Sequence, residues 1–113
     1  MNKDIRVYLE DIISAMSHAE QFVVGMDYAQ FANDLKTNFA VTRALEIVGE
    51  ATKRLPMPFR DQHSHVRWKD MAGMRDVIIH GYDNVNLKIV WQVIKSDIPL
   101  IKAQIQAILD NST

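Results

Sequence analysis

A chain of 113 residues can hold a single hydrophobic core with little to spare, so residues 1–113 read as one domain. Its composition, 48% hydrophobic and 24% charged, is that of an ordinary globular protein, and the lack of any cysteine excludes disulfides and thiolate metal sites. A net charge of −1 argues against a protein that coats nucleic acid by charge alone.

The opening run Met1-Asn2-Lys3-Asp4-Ile5-Arg6 leads acidic residues into an amphipathic pattern, unlike a signal peptide. No apolar stretch approaches the roughly 18 residues a membrane span requires. The expectation is therefore a cytoplasmic protein with no membrane partner. Ile5, Tyr8, Leu9, Ile12, Ile13, Met16 and Ala19 recur at three- and four-residue steps, which predicts an amphipathic first helix over about residues 3–24. Gly25 ends it, and Asp27 is placed to cap a short helix from Tyr28. A long helix follows from about Leu35 to Arg54, stopped by Leu55-Pro56-Met57-Pro58.

Residues 56–66 read as the one real loop, and a further helix is expected from about Val66 to His80. Gly81 and Asp83-Asn84-Val85-Asn86 form a turn, with Asn86 as cap of a last helix from about Leu87 to Leu109 that Pro99 should kink or divide. Nothing alternates with period two over a useful length. The predicted fold is all-α, an up-and-down bundle of four main helices plus a short one.

The long helix has two faces. Val41, Ala44, Leu45, Val48 and Thr52 cluster as a core stripe, and Phe39, Arg43, Glu46, Ile47 and Glu50 lie opposite. A solvated face would not normally carry Phe39 and Ile47, so it reads as a second contact surface, that of a two-fold homodimer. The alternative is an Arg43–Glu46 surface ion pair beside two incidental apolar residues. Gly49 weakens the helix, which points to another backbone coming close.

Charge is uneven along the chain. Residues 1–50 carry four Lys/Arg against eight Asp/Glu, whereas residues 51–80 carry six against three and add His63, His65 and His80. The basic block ends in Arg75-Asp76-Val77-Ile78-Ile79-His80-Gly81-Tyr82. Arg is shaped to hold a phosphate bidentately, and His exchanges protons near neutrality. On a helix, Asp76 and His80 are i,i+4 neighbours, so the carboxylate could orient the imidazole. Arg75 stands about 140° from His80, a gap that opposition across a dimer axis would close.

RNA cleavage needs a base for the 2′-OH, an acid for the leaving 5′-oxygen and a cation on the phosphate. His80 can supply the proton transfers and Arg75 the charge. DNA lacks the 2′-OH, so such a site selects RNA and needs no metal. The same spacing also fits a helix-end histidine near the C-terminal dipole beside a salt-bridged arginine.

Four features read in order make the whole chain similar to the HepT-like toxin family of the HEPN superfamily of all-α ribonucleases. They are Ala40-Val41-Thr42-Arg43-Ala44-Leu45-Glu46-Ile47-Val48-Gly49-Glu50-Ala51; Trp68; Arg75-x4-His80-x-Tyr82 with Asp76 at the polar position; and Val90-Trp91 with Asp97-Ile98-Pro99. The resemblance covers about residues 1–110. It implies a homodimeric, metal-independent endoribonuclease without a cofactor, the toxin of a toxin–antitoxin pair. The implied antitoxin is an MNT-type nucleotidyltransferase that transfers AMP to the motif tyrosine. By position, Arg75 and His80 would be catalytic, Asp76 supporting and Tyr82 the AMP acceptor. A competing reading is a non-catalytic helical module that docks to a nucleotidyltransferase and presents Tyr82 to it.

The remaining features read as structural. His63 and His65 lack a third ligand and belong to a solvated basic loop, Met71 and Met74 to packing, and Trp68 and Trp91 to the core. Arg60, Arg67 and Lys69 form a solvated basic surface, with steering of RNA as the alternative.

Overall fold

The computed structural model describes residues 1–78 and 86–112, without the side chains of Val77 and Ile78, and every regular element among them is helical. Helix α1 (Lys3–Phe22) starts at Asn2, whose Oδ1 accepts from the Asp4 and Ile5 amides at 2.6 and 3.4 Å. Its stripe of Leu9, Ile12, Met16 and Ala19 is fully buried. Gly25 turns the chain with φ +79, a conformation that favours glycine. Asp27 then caps α2 (Tyr28–Ala32) through a reciprocal box. Its Oδ1 accepts from the Gln30 amide at 2.8 Å, and the Gln30 side chain accepts from the Asp27 amide at 2.9 Å.

Helix α3 (Leu35–Lys53) begins at Asp34, which accepts from the Thr37 amide at 3.1 Å. Val41, Ala44, Leu45, Val48 and Thr52 are all buried, as the stripe predicts. The Thr52 hydroxyl escapes isolation by donating to the Val48 carbonyl at 2.7 Å.

Residues 56–66 are not simply a loop, because Met57–Gln62 form helix α4. Pro56 precedes that helix and Pro58 sits in its first turn, where a missing N–H costs nothing. Phe59 is its buried anchor, with the His63 and Trp68 rings centred 4.7 and 6.0 Å away. Arg60 ties α4 to the end of α3. Its Nε donates to the Leu55 carbonyl at 3.0 Å and its Nη2 to the Lys53 carbonyl at 3.2 Å.

The single helix expected from Val66 to His80 is also divided. Helix α5 (Trp68–Ala72) ends at Gly73, and α6 (Met74–Ile78) follows. Trp68, Met71 and Met74 are all buried at strict three-residue steps, which drift round an ideal 3.6-residue helix. A break at Gly73 lets the third side chain return to the core. Trp68 Nε1 donates to the His63 carbonyl at 2.9 Å, which ties α5 to the end of α4, and α5 packs on α3.

Asn86 accepts from the Ile89 amide at 3.2 Å and caps α7 (Leu87–Gln92). A π-helical turn over Val93–Asp97 joins α7 directly to α8 (Ile98–Asp110). Pro99 has no N–H to give the preceding turn, and the wider turn absorbs it, with the Ile98 amide reaching the Val93 carbonyl. Four rods result: α1, α3, the α5–α6 pair and the α7–α8 run. Helix α1 packs most extensively on α3, while α5 and α6 lie on the other flank of α3 and α8 returns against α1. Outside these rods, two short helices (α2 and α4) stand among the described residues where one was expected.

Lys102 of α8 reaches back to Glu20 of α1 and to the Ser17 hydroxyl, and Arg6 Nη2 donates to the Ser112 carbonyl at 3.2 Å. Phe31, fully buried, holds Trp91 at 5.2 Å between ring centroids. No helix among the described residues is long and apolar enough to cross a membrane.

Candidate active site

Gly49 positions the segment that carries the arginine. A Cβ built there would lie 3.3 Å from the Met71 carbonyl oxygen, 3.5 Å from that of Ala72 and 4.0 Å from the Arg75 amide nitrogen. Helix α3 and the α5–α6 backbones touch at this point, the close approach that a glycine inside a helix predicts. Arg75 and Asp76 stand in the first turn of α6, fixed by backbone packing beneath and exposed at the side chain. Arg75 forms no ion pair among the described residues. His80 and Tyr82 lie outside the described residues, as do residues 81 and 83–85 of the expected turn.

The second face of α3 is a charged network beside an apolar crevice. Arg43 bridges two carboxylates, Glu46 at 3.5 Å and Glu50 at 3.3 Å. Phe39 is 70% exposed, whereas Ile47 is half-buried against the core. Ile47 also lines a crevice of about 430 Å3 between α1 and α3, together with His18, Phe22, Ala40 and Ala44. Sequence reading singled out the α3 side of this surface and missed the α1 side. Phe22 sits one turn beyond His18, their rings stacked at 6.2 Å, and the i,i+4 spacing was the available signal.

The basic block is less uniform than its charge count. Arg67 is committed to Asp70 at 3.0 Å and to Asp97 of the π turn at 3.6 Å, a tie between α5 and the last helical run. The hydrogen bond to Asp70, and then the charge of Asp97, hold its guanidinium above the ordinary arginine value. Lys53, Arg54 and Lys69 are exposed and form no ion pair among the described residues. His63 is half-buried against Phe59 rather than part of a solvated loop, and His65 lies 6.2 Å from it, ring to ring. Among the described residues no third His, Asp or Glu joins them in a metal-sized group. Trp68, Met71 and Met74 are core residues, and Trp91 is half-buried beneath Lys95, whose Nζ stands 4.8 Å from its ring centroid.

A family model described as ribonuclease HepT-like matches residues 12–108. Over 106 residues the chain is 42% identical to "Probable ribonuclease HepT" of Thermococcus cleftensis, covering 94% of this chain and 96% of that one. It is 43% identical over 107 residues to "Putative RNase TTE0752" of Caldanaerobacter subterraneus, covering 95% and 96%. A third relative, "Putative RNase MJ0125" of Methanocaldococcus jannaschii, is 40% identical over 107 residues, covering 95% and 92%. No solved structure matches the chain significantly.

Proposed function

This chain belongs to the ribonuclease HepT-like family, and on that footing we propose that it is a metal-independent endoribonuclease acting through Arg75, His80 and Tyr82. The observation that carries the reading is the pairing of a backbone clamped at Gly49 with a guanidinium left exposed one residue into α6. A cation held this way is organised before substrate arrives, the condition under which charge stabilisation contributes most.

In the reaction, a base removes the 2′-OH proton and the 2′-oxygen attacks the adjacent phosphorus. The 5′-oxygen leaves with a proton from an acid, giving a 2′,3′-cyclic phosphate and a free 5′-OH. One imidazole of a homodimer serves as base and its two-fold mate as acid, while Arg75 holds the non-bridging oxygens. Asp76, four residues before His80 in the sequence, orients the ring. The dimer forms through the α3 face of Phe39, Arg43, Glu46, Ile47 and Glu50.

The protein acts in the cytoplasm as the toxin of a pair whose antitoxin is an MNT-type nucleotidyltransferase. The antitoxin silences it by AMP transfer. The Tyr82 phenol oxygen attacks the α-phosphorus of ATP, pyrophosphate departs, and an anionic phosphodiester comes to occupy the place of the substrate phosphate.

Purified protein incubated with RNA in EDTA tests the reaction. Arg75→Ala and His80→Ala should each lower cleavage at least a hundredfold while leaving the fold intact by circular dichroism. Full activity in His80→Ala would refute the catalytic assignment. With the nucleotidyltransferase and ATP, the parent should gain mass in units of AMP and Tyr82→Phe should not.

A further inference from the structure

Helices α4 and α5 line an open cleft of about 400 Å3. That volume is in the range of small-ligand sites. Buried Val66 and Trp68 form its floor, and Met57, 58% exposed, stands at the rim. Arg60 enters from one wall and Lys69 from the other.

The charges of the cleft sort themselves by partner. Arg67 and Asp70 line it too but neutralise each other at 3.0 Å. Arg60 is held by two main-chain carbonyls, which fix its position without cancelling its charge. Lys69 is exposed and without an ion pair among the described residues. Asp61 is the opposing carboxylate. The balance is positive, with an apolar floor.

One edge of the cleft lies near the backbone of the proposed catalytic arginine, whose side chain does not line it. Ala72 lines the cleft, and the Ala72 carbonyl meets the same Gly49 contact point that lies 4.0 Å from the Arg75 amide.

We propose that the α4–α5 cleft is a subsite for the nucleotide neighbouring the scissile linkage of single-stranded RNA, with Lys69 and Arg60 on its phosphate and Met57 against its base. The proposal rests on the ribonuclease reading for its substrate. An apolar rim beside paired cations suits an unstacked nucleotide, which offers a base face and a phosphate together. A duplex would keep its bases stacked away from Met57.

The test uses fluorescence anisotropy of a labelled single-stranded RNA with full-length His80→Ala protein, and cleavage kinetics with the parent. Arg60 is left intact because its carbonyl bonds support the fold. Lys69→Glu should weaken binding at least tenfold at low salt and reduce the slope of log K against log salt by about one. In cleavage it should raise KM more than it lowers kcat. Met57→Ser should weaken binding several-fold with the salt slope unchanged. Lys36→Glu, the same charge change at the far end of α3, should stay within twofold of the parent.

Loss in Lys69→Glu no greater than in Lys36→Glu overturns the subsite, and cleavage by the parent that His80→Ala abolishes would leave the catalytic reading standing. Binding of RNA through Lys69 by a parent that cleaves nothing would uphold the subsite and refute the catalysis. A parent that binds no single-stranded RNA refutes the subsite outright.

Discussion

Gly49 is the residue on which the geometry of the arginine turn depends. Its missing Cβ would press on the Met71 carbonyl at 3.3 Å, and that oxygen belongs to a helix backbone that cannot yield alone. Gly49→Ala gains about 1 kcal/mol of helix propensity. It also forces α5 and α6 outward, and overpacking of this kind costs about 1–3 kcal/mol. The expected net result is a loss of about 1 kcal/mol in urea unfolding, larger for Gly49→Val. RNA cleavage should fall further than that loss accounts for, because the displaced backbone carries Arg75. Unchanged cleavage in a folded Gly49→Val protein would show that the contact does not set the position of the arginine.

Helix boundaries written in side-chain chemistry were legible before any coordinates. Asp27 and Asn86 announce their helices because a short side-chain oxygen ahead of an apolar run can take the free amides. Asp27→Ala should accordingly cost about 1 kcal/mol, read as a shifted urea midpoint with an unchanged slope. Boundaries made by tertiary contact were not legible. Helix α4 exists because Phe59 is buried and Arg60 finds the Lys53 and Leu55 carbonyls, and no local pattern announces either. The break at Gly73 hides behind Trp68, Met71 and Met74, whose spacing resembles a continuing helix. Pro99 announced a disturbance, but its form, a π turn that keeps the run unbroken, depends on how α8 packs. The site divides in the same way. The Arg75-x4-His80-x-Tyr82 spacing is read from the chain, whereas the α4–α5 cleft appears only once α4 and α5 are folded beside each other.

At the scale of the molecule, charge and apolar surface are segregated. Lys53, Arg54, Lys69 and Arg75, exposed and without an ion pair among the described residues, stand at the end of α3 and on the α5–α6 segment, while the crevice between α1 and α3 is apolar with Phe39 exposed nearby on α3. If that surface joins two copies, Phe39→Glu should give a monomer by sedimentation velocity with little change in thermal midpoint, because an exposed ring contributes little to the monomer core. Cleavage should disappear with the dimer, since base and acid then belong to separate molecules. A dimeric Phe39→Glu protein would move the interface elsewhere. The bond from Arg6 to the Ser112 carbonyl brings the two ends of the chain side by side. A short Gly/Ser bridge between them, with new ends opened at the Gly25 turn, should therefore yield a circularly permuted protein that folds with every rod in place. Affinity tags at both ends of this chain would crowd one another, and a tag moved to the new opening would leave both the basic cleft and the closed seam untouched.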